Sequence, residues 1–377
     1  MIVKRVQIET RQRLQSAYVF IHLDDSSIDS KQVDVSFNDG YLIVKHPQDD
    51  SHAETETFNL NSLRIKEGSL TSKQIFANCI TLRLLTDQKT AYNNLSGGFK
   101  AEIMELTNKF KQSMNVTSSG SSSLHQIKNN IPYTILCKEC KTSLCELTFD
   151  RVLPLPSSEQ NDWFCHCTKD QQIDIAPKTT DLLYSECHYL LNPSQTNASI
   201  DQVGKYIRCK HCLTWLGSKH DEKSIKFYFN TTIFKSTESG VANYTTSALS
   251  DVFKVIKSIS EDVHIIAPKI VLFCQVGETV VQYILLRIFD DNLQLQLHEN
   301  SNVWDMVVAK VFFMFVSNRN EVVDAWCKDA NAHSITISRP MFEECLSHLR
   351  EKHGLMPAEF GTDSEGFSAS YLMYDEE

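Results

Sequence analysis

Two Cys-x-x-Cys pairs, Cys137-Lys-Glu-Cys140 and Cys209-Lys-His-Cys212, constrain this chain more than any other feature. Each pair presents two thiolates from one tight turn, which is half of a tetrahedral thiolate site. If the halves share one ion, they tie together distant parts of the chain and shape everything between them. The 68 residues separating Cys140 from Cys209 far exceed the roughly 15–20 of a simple zinc ribbon. Either the intervening segment is a large insertion within one shared site, or each pair recruits local partners. Local partners are available in Cys145, Cys165, His166, Cys167, Cys187, His188, His211 and His220.

Composition narrows the context. A chain of 377 residues suggests two or three domains. Its 42% apolar content supports ordinary cores, and 22% charged residues argue against wholesale disorder. The net charge of −10 opposes a phosphate backbone, so nucleic acid is disfavoured as a partner. The N-terminus shows no signal-peptide core. The most apolar run, Val307 to Val316, is too short to span a bilayer and is broken by Lys310. The expectation is a soluble intracellular protein without membrane attachment, in which twelve cysteines serve as metal ligands and buried thiols rather than disulfides.

The chain reads as a β-rich α+β protein. Residues 1–112 form a β-rich N-terminal domain of antiparallel, sandwich-like character. Strand composition recurs at Tyr18-Val-Phe-Ile-His22, Val33-Asp-Val-Ser-Phe37, Tyr41-Leu-Ile-Val-Lys45 and Ile80-Thr-Leu-Arg-Leu-Leu85. Asn38-Asp39-Gly40 supplies a hairpin turn between two of them. Residues 99–110 carry a helical pattern, and the Ser/Gly tract within 113–130 reads as a linker. A cysteine-rich zinc-binding β module follows over 131–236, then a mixed α+β region over 241–377. That last region has helices expected at 247–259 and 340–353, with strands at 265–274, 279–289 and 307–316. Pro340 near a helix start and Gly354 just past its end support the second helix.

Cys137, Cys140, Cys209 and Cys212 are the first-choice ligands of a structural zinc, because four thiolates leave no open position for water. Cys165 with His166 ranks second as a ligand pair, and Cys187 with His188 below it. A thioredoxin-type redox role wants the pair at a helix start. Here a turn and a strand are expected to follow Cys140 and Cys212.

The surroundings of the two pairs carry a family resemblance. Arg151-Val-Leu-Pro-Leu-Pro-Ser157 follows the first pair, then Trp163-Phe-Cys-His166 and Tyr189-Leu-Leu-Asn192. The second pair opens Cys209-Lys-His-Cys-Leu-Thr-Trp-Leu-Gly217, with Lys226-Phe-Tyr228 beyond. This order, over roughly 130–230, resembles the HECT-like ubiquitin ligase family whose members bind ubiquitin-conjugating enzymes. The resemblance implies acceptance of ubiquitin from a conjugating enzyme and promotion of its transfer to lysine. It also implies a link to the endonuclease of pre-mRNA 3′-end processing. The expected location is the cytoplasm, with the nucleus as the alternative.

A covalent route needs a free nucleophilic thiol, and metal-held thiolates are occupied. Cys165 is the first candidate, since neighbouring His166 could lower its pKa. Against this, neighbours on an extended strand point to opposite faces. Cys79, Cys274 and Cys345 sit among apolar residues and read as core thiols. The alternative function is a non-enzymatic, zinc-containing assembly or stability factor that binds the 3′-end-processing endonuclease. Such a factor needs only the zinc-organised surface.

Overall fold

The computed structural model describes residues 3–86, 127–155, 176–236, 238 and 242–373, apart from 12–13, 25–29, 39, 49–51, 61–62, 64, 67, 261–267 and 277–279. The helical pattern at 99–110 and most of the Ser/Gly tract lie outside these residues, as do Trp163, Cys165, His166 and Cys167. The described structure is β-rich, with antiparallel sheets and three α-helices: α1 (Ala248–Ser260), α2 (Glu321–Lys328) and α3 (Arg339–His353). None of these helices is long and apolar enough to cross a membrane.

The chain divides into two compact units. The first comprises Met1–Thr117, Ile288–Phe313 and Leu349–Glu377, and the second Ser118–Arg287 and Met314–His348. Residues 241–377, treated above as one region, contribute to both.

In the first unit, Val3–Arg11 pairs antiparallel with Ser16–Leu23, which pairs with Cys79–Leu85 and through it with Ser72–Ile75. A second sheet runs Asp34–Asn38, Tyr41–Gln48, His52–Asn59. Asn38 stands opposite Tyr41, and Gly40 has φ +83°, a value that favours glycine. The turn read from Asn38-Asp39-Gly40 is therefore present. Alternation in these strands sends Val6, Ile8, Val19, Ile21, Ile80 and Leu82 into one core, which Leu42 and Val44 of the second sheet and Val33 just before it complete. That shared core makes a two-layer arrangement.

The strand Val281–Glu299 runs ten residues beyond the expected 279–289. Its residues 294–299 pair with Val3–Arg11. It turns back at Asn300 and Ser301, with φ +50° and +66°, the left-handed pair that two-residue hairpins prefer. The returning strand, Asn302–Val316, starts five residues before the apolar run and pairs with Ser368–Met373. Lys310, the charge inside that run, is 8% exposed. Its Nζ donates to both carboxylate oxygens of Glu9, at 2.7 and 2.9 Å. The Tyr371 hydroxyl also donates to Glu9. A buried charge survives only when paired in this way.

In the second unit a seven-stranded sheet has the order Arg151–Pro154, Asp181–Tyr184, His188–Leu191, Ile225–Tyr228, Trp215–Lys219, Tyr206–Cys209, Ile200–Val203. A three-stranded sheet of Thr232–Ser236, Pro132–Cys137 and Ser143–Thr148 contributes to the same core. Tyr189 sits within that core, its ring centroid 4.9 Å from Phe229 and 5.0 Å from Phe234. Its hydroxyl is satisfied at 3.1 Å by Thr232 Oγ1. The expected helices at 247–259 and 340–353 are present within one residue at each end. Helix α2 has a pattern too short to stand out and is capped by the Asn320 side chain, which accepts from Val323 N.

A buried polar hub joins separate segments of this unit. Asp251 in the first turn of α1 is fully buried. Its Oδ2 accepts from Asn230 Nδ2 at 2.8 Å and from Thr246 Oγ1 at 2.5 Å, while Oδ1 has no partner. The Ser338 hydroxyl donates to Asn230 Oδ1 at 2.7 Å. Burial raises the Asp251 pKa to about 6, against the Thr246 and Asn230 donors and nearby Lys254 and Lys138. A carboxyl raised on folding stabilises most below its unfolded pKa and loses that contribution as pH rises through the folded value. The loss is about 3 kcal/mol between pH 4 and 7. Asp251→Asn is expected to flatten the dependence of denaturant midpoint on pH across this window. An unchanged slope would reassign it to other groups.

Candidate metal centre

Each Cys-x-x-Cys pair caps a β-hairpin, and the two hairpins are near copies. The first joins Pro132–Cys137 to Ser143–Thr148, and the second joins Tyr206–Cys209 to Trp215–Lys219. Cys137 O accepts from Lys141 N at 2.9 Å, and Cys209 O accepts from Leu213 N at 2.9 Å. Cys137 N donates to Thr142 O, and Cys209 N to Thr214 O, both at 2.9 Å. Lys141 and Leu213 both adopt left-handed backbone, φ +60° and +62°. The turns wind so tightly that both sulfurs of a pair point the same way.

The hairpins face each other. Cys137 Sγ lies 3.6 Å from Cys212 Sγ, and Cys140 Sγ lies 3.6 Å from Cys209 Sγ. All four sulfurs fall within 4.8 Å of one another. A tetrahedron with metal–sulfur bonds of about 2.3 Å has edges of about 3.8 Å, so the donor set fits one ion. The two pairs therefore converge on a single site, and described strands of the intervening segment, Ser143–Thr148, Arg151–Pro154, Asp181–Tyr184, His188–Leu191 and Ile200–Val203, build sheet around it. Four sulfur ligands close the coordination shell, so an ion here would organise the fold and expose nothing to substrate.

Burial supports the arrangement. Cys137 and Cys209 are wholly buried in the aromatic core, while Cys140 and Cys212 are half-buried. Without an ion, burial raises the pKa of Cys137 and Cys209. Cys140 is lowered to about 5: a burial penalty opposes this, but the Thr142 hydroxyl and amide and the Cys212 and Cys209 thiols outweigh it. The Thr142 hydroxyl lies 3.2 Å from Cys140 Sγ, and Thr214 Oγ1 lies 3.3 Å from Cys212 Sγ. These threonines orient and stabilise thiolates in the manner of outer-sphere donors. Sequence reading overlooked them, although the signal is the repeated pattern Cys-Lys-x-Cys-x-Thr in both turns.

The motif residues around the cysteines also have assigned work. Arg151 forks onto Asp181, with Nε donating to Oδ1 at 2.8 Å and Nη2 to Oδ2 at 2.6 Å. That pairing, led by the Arg151 hydrogen bonds, lowers the Asp181 pKa. Pro154 lies on an edge strand of its sheet, where a missing N–H is tolerated. Gly217 pairs with Phe227, and a β-carbon there would lie 1.8 Å from Lys226 O. The glycine is needed for the two strands to approach.

The other thiols separate clearly. Cys79, Cys145, Cys187, Cys274 and Cys345 are buried, and burial raises each pKa, to about 11 for Cys79 and about 12 for the rest. The His188 ring Nδ1 is 3.7 Å from Cys187 Sγ, but burial, with Lys226 and His220 near it, holds His188 well below its usual pKa. A neutral imidazole beside a deeply buried thiol makes no activated nucleophile. Among the described residues, Cys327 is the exposed free thiol. Cys187 and His188 join no cluster of three metal-ligating side chains among the described residues.

A family profile described as HECT-like ubiquitin-conjugating enzyme (E2)-binding matches residues 9–362. The chain belongs to this family. The match takes in both structural units, so the HECT-like E2-binding assignment extends well beyond the cysteine-rich centre. It makes a ubiquitin-conjugating enzyme the partner class supported for this chain. The chain is also similar to an E3 ubiquitin-protein ligase of Bos taurus, with 21% identity over 267 residues that cover 59% of this chain and 68% of the relative. No solved structure matches the chain.

Proposed function

We propose that this HECT-like protein is an E3 ubiquitin-protein ligase that binds a ubiquitin-charged conjugating enzyme and promotes transfer to lysine. The observation that carries this reading is the E2-binding family match over residues 9–362. In this reading the four thiolates hold a structural zinc, the ion that a closed tetrahedral sulfur site favours. The clamp fixes the sheet that presents the Arg151 and Trp215 motif runs. Cys165 is the thiol proposed to take ubiquitin, since the buried thiols of the described residues are poor nucleophiles. By the resemblance, the client is the endonuclease of pre-mRNA 3′-end processing, met in the cytoplasm or nucleus.

The test is discharge of a thioester-charged conjugating enzyme onto free lysine. Adding the purified chain is expected to speed discharge at least about tenfold, which is ~1.4 kcal/mol of barrier. Cys165→Ala should abolish a reducible ubiquitin adduct and leave metal content intact, with Cys327→Ala as the control for an exposed thiol. Full discharge by Cys165→Ala would remove the covalent step and leave a ligase that acts by positioning. No acceleration together with no conjugating-enzyme binding would end the ligase reading.

A further inference from the structure

The second unit contains a cleft beside the hairpin whose tip carries Cys209 and Cys212. It is a shallow depression lined by Tyr206, Trp215, Gly217, Tyr228, Gln275 and Arg339, among others, with a cavity volume of about 20 Å³. A depression this small encloses no cofactor and offers instead a surface across which an extended segment can lie. Strand alternation explains the position. Tyr206, Ser218 and Lys226 stand opposite one another across three neighbouring strands and share a face. Their neighbours Ile207 and Phe227 turn into the core on the other face. Tyr206 and Trp215 are half-buried, with ring centroids 5.5 Å apart in an edge-to-face pair. Tyr228 is held down by its hydroxyl, which donates to Thr336 O at 3.0 Å.

The charge around this cleft runs against that of the chain. Lys205 Nζ lies 5.3 Å from the Tyr206 ring centroid, and Lys226 Nζ lies 4.9 Å from that of Tyr228. Neither ammonium has a carboxylate partner among the described residues. Arg339 is exposed and shares its charge only with an exposed Glu343, at 2.7 Å. Arg208 and Lys219 of the same sheet are already matched by Asp201 and Glu222. In a protein of net charge −10, two unneutralised lysines on the tyrosines that line one cleft mark a local positive site. A cationic ligand would meet the repulsion of both lysines there. An anionic one gains Coulomb attraction, which opposes the desolvation that lowers the Lys226 pKa.

We propose that this cleft docks an acidic peptide segment of a partner protein, with an apolar side chain against Trp215 and Tyr206 and flanking carboxylates on Lys205, Lys226 and Arg339. The proposal does not rest on the ligase reading, because binding is measured without ubiquitin or a conjugating enzyme. The probe is a fluorescein-labelled hexapeptide alternating glutamate and leucine, titrated with the full chain in fluorescence anisotropy. The same peptide with lysine in place of glutamate is the control.

The acidic peptide is expected to bind at least about tenfold more tightly than the basic one, and to weaken as salt rises. Lys205→Glu combined with Arg339→Glu should weaken it by a further factor of about ten; both side chains are exposed, so the fold is spared. Tryptophan emission should change on binding in the parent and not in Trp215→Phe. Equal binding of the two peptides, no binding at millimolar peptide, or indifference to the charge reversals would overturn the proposal. So would a single-stranded oligonucleotide that outcompetes the acidic peptide through the same lysines.

Discussion

Cys137→Ser is expected to release the metal and unfold the second unit's central module. The wholly buried Cys137 stands where the first hairpin turn meets the aromatic core that also holds Tyr133, Phe229 and Phe234. Losing one thiolate opens the coordination shell and leaves a hydroxyl in an apolar site. Structural zinc sites carry about 10–16 kcal/mol of apparent binding free energy, which in a clamp of this kind is folding free energy. That exceeds or rivals the total stability of most domains, about 5–15 kcal/mol. Elemental analysis should find one ion per parent chain and none per variant. Hydrogen exchange should lose protection over residues 132–148 and 206–219. A strong chelator should do the same to the parent. Parent protein that is metal-free, or that melts identically with and without chelator, would refute the clamp. Thr142→Val and Thr214→Val should weaken metal retention without unfolding, because they remove a hydroxyl at the sulfur but no ligand.

Gly217→Ala is expected to be nearly as damaging for a purely steric reason. The added carbon would sit 1.8 Å from Lys226 O and 2.8 Å from Lys226 C. Both are backbone atoms of the paired strand and cannot rotate away. Relief requires parting Trp215–Lys219 from Ile225–Tyr228, which are central strands of the seven-stranded sheet. The cost should reach about 4 kcal/mol or more, in the range reserved for major core faults. It would lower the melting temperature by roughly 10 °C. Gly204→Ala is the matched control. Gly204 has φ +61° with open space around it, so only backbone strain of about 1 kcal/mol applies. Similar melting of the two variants would show that the strands can separate cheaply.

Local regularities were legible before any fold was seen. The Asn38-to-Gly40 turn, the strands around it, and helices α1 and α3 follow from alternation, helical periodicity and terminal Pro and Gly. The core assignment of Cys79, Cys274 and Cys345 follows from their apolar neighbours. Where reading fell short, the missing information was non-local. In the long hairpin through Asn300 and Ser301 the outgoing strand does alternate, with Leu293, Leu295 and Leu297 between polar residues, but the returning strand is exposed over 302–305 and shows no matching pattern. Lys310 looked like an interruption because its neutralising Glu9 is 301 residues away. Helix α2, at eight residues, is too short for periodicity to declare it.

The cysteine pairs divide along the same line. Sequence alone determined that each pair is a thiolate turn, since two cysteines separated by two residues, one of them a lysine, report a local geometry. It also determined the family, because the RVLPLPS and LTWLG runs are contiguous strings. Only the tertiary structure decided that both turns meet at one point, with sulfurs 3.6 Å apart across the gap. It likewise decided that Gly217 is forced by a neighbouring carbonyl and that Lys205 and Lys226 stand on cleft-lining tyrosines. The physical reason is that strand pairing joins residues by register rather than by sequence distance. No string of residues states which partner strand will lie beside it.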